Sequence, residues 1–142
     1  MNMKFNENGK FKIMQITDIQ EIPSVSPDTV KLLNAAISQE KPDLVVLTGD
    51  QIKGYGTSYK IKGKNVFDAV RDTLELLIKP IVEANIPYAV TFGNHDRQVG
   101  ISNTEQFEKI YKKGLRHVGW LQAEVGLAYC RVSLLHASVV QS

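Results

Sequence analysis

Three strand-length apolar runs, residues 11–17, 44–48 and 86–92, alternate with segments of helical periodicity. Strands separated by helices cannot pair as hairpins. Each returns through a right-handed crossover, so the strands lie parallel in one sheet with the helices outside it. The second run, Leu44-Val45-Val46-Leu47-Thr48, is nearly all apolar, the pattern of a parallel strand covered on both faces. The expected class is therefore α/β. In open sheets of this kind ligands bind beyond the carboxyl ends of the strands. Each run ends in groups able to bind one: Asp18 after the first, Asp50 after the second, and Gly93-Asn94-His95-Asp96 after the third.

The connecting segments carry their own start and stop signals. Ser26-Pro27-Asp28 supplies a cap, a proline at the first helical position and an acid in the first turn. Val30, Leu33 and Ile37 then recur at helical spacing until Lys41-Pro42 stops the helix. A second helix is expected from near Asn65 to Glu83, with Phe67, Val70, Leu74, Leu77 and Ile81 as its apolar stripe. Ser102 and Glu105 form a capping box for a third, which buries Phe107, Ile110 and Tyr111. Between the second strand and the second helix lies a loop of about a dozen residues, long for a compact domain and so a candidate functional segment. Its Lys53, Lys60, Lys62 and Lys64 read as a solvated face that could also attract an anion.

A chain of 142 residues is long enough for one domain with a core. The net charge of +2 gives no argument for a nucleic-acid or membrane partner. No stretch approaches the roughly 20 apolar residues that span a bilayer. The first residues lack the apolar core of a secretory signal, so a cytoplasmic location is expected. The lone cysteine, Cys130, excludes an intrachain disulfide and any Cys-x-x-Cys site.

The strand-end residues are of the types that hold hard cations. Asp18 offers a carboxylate, and Gln20, two residues on in extended chain, an amide oxygen on the same side. Asp50 follows Gly49, which lets the turn tighten, and its two oxygens could bridge two metals. Asn94 adds a neutral oxygen. His95 can act as a general acid, with Asp96 expected to orient its imidazole. One such residue after a strand is more often a turn or a cap; three in order point to a single site. A receiver domain, with Asp50 accepting a phosphoryl group, also has strand-end carboxylates but does not need Asn-His-Asp after the next strand.

Asp18-Ile19-Gln20, Gly49-Asp50 and Gly93-Asn94-His95-Asp96 resemble the first three motifs of the calcineurin-like metallophosphoesterase superfamily, purple-acid-phosphatase-like members included. The resemblance implies the N-terminal half of a layered α/β/β/α sandwich and two-metal hydrolysis of a phosphoester substrate by a bridging water or hydroxide. It implies Mn, Fe or Zn, with Asp18 on the first metal, Asp50 bridging, Asn94 on the second, His95 catalytic and Asp96 its orienter. Two departures stand out. Gln20 occupies a place where the family usually has histidine, and an amide is the weaker transition-metal ligand. The family's later Gly-His and Gly-His-x-His motifs have no match, since neither His117 nor His136 follows glycine or has a histidine two residues on. Both read as non-ligands.

Residues 1–113 read as the N-terminal part of that domain, and residues 114–142 as different material. The latter contain no lysine, isoleucine, asparagine, proline or aspartate, yet carry two of the four arginines, Trp120 and Cys130. That break points to a frameshifted or unrelated tail. A chain of this kind is expected to be a truncated phosphoesterase, weakly active or inactive alone, with its sheet exposing an apolar face.

Overall fold

The computed structural model describes residues 4–114. Of the expected tail, residues 114–142, all but Gly114 lies outside them, His117, Trp120, Cys130 and His136 included. Strand β1 (Ile13–Ile16), helix α1 (Pro27–Glu40), strand β2 (Leu44–Thr48), helix α2 (Val66–Glu83) and strand β3 (Tyr88–Thr91) follow in the expected order. A 3-10 turn (Asp96–Val99), helix α3 (Asn103–Lys109) and a second 3-10 turn (Tyr111–Gly114) complete the described chain. The strands are parallel in the order β1-β2-β3. β1 and β3 are shorter than the apolar runs that announce them, because residues beyond their ends leave the ladder for the loops.

The helix starts form as their sequences dictate. Ser26 Oγ accepts the Asp28 N–H, Asn65 Oδ1 accepts the Phe67 N–H, and Ser102 Oγ accepts the Glu105 N–H. Lys41 ends α1 in the left-handed conformation, its N–H on the Ile37 carbonyl, and Pro42 prevents continuation.

Two right-handed crossovers in the same direction leave α1 and α2 side by side on one face of the sheet, in contact with each other. That face carries Met14 and Ile16 from β1, Val45 and Leu47 from β2, and Tyr88 and Val90 from β3, packed into one core with Leu33, Ile37, Val70 and Leu74. The opposite face is not uniformly apolar, as the sequence led us to expect. By register, Ile13 pairs with Leu44, Gln15 with Val46, Val46 with Ala89, and Thr48 with Thr91. Its amino-terminal end is apolar, with Ile13 58% exposed. Its carboxyl end is polar, where Gln15 Nε2 donates to Thr48 Oγ1 at 3.0 Å. Among the described residues no helix is long and apolar enough to cross a membrane.

Candidate metal centre

The three strand ends converge through Asp50. Beyond β1 the chain keeps company with the segment after β2: the Asp18 N–H donates to the Gly49 carbonyl, the Gln20 N–H to Asp50 and the Glu21 N–H to Gln51. On the other side, Asp50 Oδ1 accepts the His95 N–H at 2.9 Å, tying β2 to the loop after β3. The approach is close enough to require glycine on both chains. A Cβ on Gly49 would lie 2.5 Å from the Gly93 nitrogen, and one on Gly93 would lie 2.1 Å from Asp50 Oδ1.

Three of the expected ligands sit in strained backbone. Asp18 (φ 54°), Gln20 (φ 49°) and Asp50 (φ 53°) are all left-handed. Such residues cost of order 1–3 kcal/mol each and persist where the surroundings over-determine them, commonly at functional sites. Aspartate tolerates the region; glutamine has no such excuse. Positive φ at both residues also replaces the extended geometry expected for Asp18 and Gln20, so period-two logic does not set their directions.

Asp96 does something other than orient the imidazole. It is 1% exposed. Its Oδ2 accepts the N–H groups of Asp50 and Gly93, and its Oδ1 those of Gln51 and Ile52. With four backbone donors on two oxygens, the carboxylate staples the loop after β2 to the loop after β3. Burial pushes this carboxyl up to about 6, and the N–H groups of Gly93, Ile52 and Asp50 pull it the other way. Its own carbonyl accepts from Gln106 Nε2, a fully buried amide that also reaches Ile101.

The imidazole is held by residues that the sequence reading passed over. Gln98 Oε1 lies 2.8 Å from His95 Nδ1. The Tyr55 ring lies 4.6 Å away, centroid to centroid, at 52°. Tyr55 also donates to Gln20 Oε1 at 3.4 Å and carries Lys53 Nζ over its ring. Gly54 makes this contact possible, because a Cβ there would lie 2.1 Å from the His95 carbonyl oxygen. The long loop is thus docked on the tetrad by Gly54 and Tyr55. Two of its lysines are committed, Lys53 to Tyr55 and Lys64 to Asp72 at 2.7 Å. Gln98 was legible in principle: it stands three residues after His95, the spacing that brings side chains together in a helical turn.

Among the described residues, no three His, Cys, Asp or Glu side chains group as a metal site. The donors gathered at the strand ends are two carboxylates, Asp18 and Asp50, and two amides, Gln20 and Asn94. That oxygen set fits a hard divalent cation. Half of the set, as the described residues supply it, is amide.

Against known proteins, the model of the calcineurin-like phosphoesterase family matches residues 11–138. The chain is 27% identical over 126 residues to the probable inactive purple acid phosphatase 14 of Arabidopsis thaliana, covering 78% of this chain and 29% of that protein. It is 30% identical over 120 residues to the phosphatase DCR2 of Saccharomyces cerevisiae, covering 72% of this chain and 19% of that one. The chain thus spans less than a third of the length of these relatives. A solved dimetal phosphatase from Danio rerio shares the fold, with a TM-score of 0.54 at 19% identity over 70% of this chain and 33% of that one.

Proposed function

The chain belongs to the calcineurin-like phosphoesterase family, and from its strand ends we propose that it carries the first half of a metal-dependent phosphoester hydrolase site. Asp18 and Gln20 would hold one divalent ion and Asn94 a second, with Asp50 shared between them. When bound, the metals supply the activated water and clamp the phosphate oxygens. His95 then protonates the leaving oxygen. Asp96 keeps Asp50 and Gly93 in register rather than touching the substrate. Of Mn, Fe and Zn, the oxygen-rich donor set favours Mn²⁺.

The observation that carries this reading is the hydrogen-bonded hub at Asp50, which joins three strand ends bearing ligand-type side chains. The family's chemistry is phosphoester hydrolysis, and the Arabidopsis relative is named probable inactive. Two carboxylates and two amides make a weak shell, so the chain alone binds metal loosely and turns over little. Calorimetric titration with Mn²⁺ tests the first part: weak binding is expected, lost in Asp50→Asn, and no binding of Mn²⁺, Fe²⁺ or Zn²⁺ refutes the metal reading. Hydrolysis of p-nitrophenyl phosphate tests the second. Robust turnover that His95→Ala abolishes would show the site to be complete, against this proposal.

A further inference from the structure

A histidine that delivers a proton to a leaving group needs its tautomer and ring direction fixed by another group. The residue beside it in the chain, Asp96, is unavailable, since both its oxygens are taken by four backbone N–H groups. Among the described residues, three side chains touch the ring instead. Asn94 Nδ2 lies 3.1 Å from Nδ1 and 3.3 Å from Nε2. Such even approach to both nitrogens puts the amide over the ring rather than in line with either lone pair, so Asn94 does not choose the tautomer. Tyr55 is an aromatic neighbour that limits how the ring can tilt. Of these three, only Gln98 meets a ring nitrogen with an oxygen, at 2.8 Å from Nδ1. A carbonyl oxygen can only accept, so this contact is a hydrogen bond in the tautomer that carries its proton on Nδ1. The Gln98 side chain is exposed, but its backbone is anchored: the Gln98 N–H donates to the His95 carbonyl as the 3-10 turn begins.

We propose that Gln98 is the positioning residue of His95: it fixes the ring in the Nδ1–H tautomer, so that Nε2 is the nitrogen presented to a substrate. The assignment of a chemical task to His95 rests on the hydrolase reading above; the positioning itself does not. In that reaction the bond between phosphorus and the leaving oxygen breaks as water forms the new P–O bond. The electron pair goes to the leaving oxygen, which takes the Nε2 proton. The ring returns to its neutral Nδ1–H form, and Nε2 recovers its proton from the water.

The test reads the tautomer directly, in the full chain and without metal. Long-range ¹H–¹⁵N correlation at alkaline pH, with His95 assigned from a His95→Gln spectrum, distinguishes the protonated from the bare ring nitrogen. Free imidazole side chains favour the Nε2–H form. Wild type is expected to show Nδ1–H, Gln98→Glu to keep it because a carboxylate also accepts, and Gln98→Leu to revert to Nε2–H. An Nε2–H ring in wild type, or an unchanged ring in Gln98→Leu, overturns the proposal. Mn²⁺ affinity serves as the second readout. Gln98→Leu should leave it unchanged, and a loss of about tenfold, typical of a residue that supports metal ligands, would place Gln98 on the ligand shell and overturn the assignment. An Nδ1–H wild type that hydrolyses no ester in any context supports the positioning and sinks only the hydrolase reading.

Discussion

Gly93→Ala tests the close crossing on which the centre depends. The added Cβ would lie 2.1 Å from Asp50 Oδ1, 2.6 Å from its Cγ and 2.7 Å from its backbone nitrogen, where ordinary contact begins at 3.4 Å. Two responses are open to the molecule. The Asp50 side chain can rotate away, which breaks its bond to the His95 N–H and removes about 1.5–3 kcal/mol. That rotation does not relieve the backbone nitrogen, which the Asp96 carboxylate holds at 2.8 Å. The loops must also part, an overpacking cost of about 1–3 kcal/mol. Together the loss is about 2.5–6 kcal/mol, a large share of the roughly 5–15 kcal/mol that keeps a domain folded. Urea unfolding followed by far-UV circular dichroism measures it. Gly56→Ala is the control: that glycine has positive φ, at 72°, which Gly93 does not, and nothing lies within 4 Å of the added carbon. Its cost should be the conformational one alone, about 1–2 kcal/mol. Equal losses in the two variants would mean that the strand ends do not meet as described.

Two further outcomes can be checked on the same material. The folded carboxyl of Asp96 stands at about 6 against its ordinary 3.8, so its contribution to stability is fully present below pH 4 and is lost as pH rises through 6. The change amounts to up to about 3 kcal/mol and should be seen as a fall in urea midpoint from pH 4 to 7 that Asp96→Asn flattens. Gln20→Gly relieves a left-handed glutamine at about 1–2 kcal/mol and adds unfolded-chain freedom worth roughly 0.5–1 kcal/mol. It should therefore raise the unfolding midpoint slightly while weakening Mn²⁺ binding; a lower midpoint would mean that Gln20 is not strained.

The order of elements was legible because it rests on strong local signals. Apolar runs, Ser26, Asn65 and Ser102 as caps, and Lys41-Pro42 as a stop act within a few residues and need no tertiary help. The convergence of Asp18, Asp50 and Asn94 followed from topology alone, since parallel strands share a carboxyl end. What the sequence could not show depends on atoms brought together from distant positions. Asp96 looks like a partner for its neighbour His95, but backbone N–H groups 44 to 46 residues upstream take it first. Tyr55 lies 40 positions from His95 in a loop whose path no periodicity describes, and Gly54 reads as a turn former until the His95 carbonyl is found against it. The polar end of the open sheet face was hidden for a different reason. A strand such as Leu44–Thr48 reads as apolar throughout, and only the register shows that its one threonine lines up with Thr91 and not with the core.

The strain at Asp18, Gln20 and Asp50 also bears on what completes the site. Left-handed backbone at these three positions opposes folding, and it is offset locally by the bonds from the Asp18 N–H to Gly49, from the Gln20 N–H to Asp50, and from the Asp50 N–H to Asp96. All of these partners lie between residues 18 and 96. The backbone at Asp18, Gln20 and Asp50 is therefore held by contacts that do not call on a metal. It follows that any further ligands at this centre would not have to shape the backbone at these three positions. Metal affinity is then the quantity such groups would raise, while the glycine crossing, the Asp96 staple and the Gln98-held imidazole should read the same in their absence.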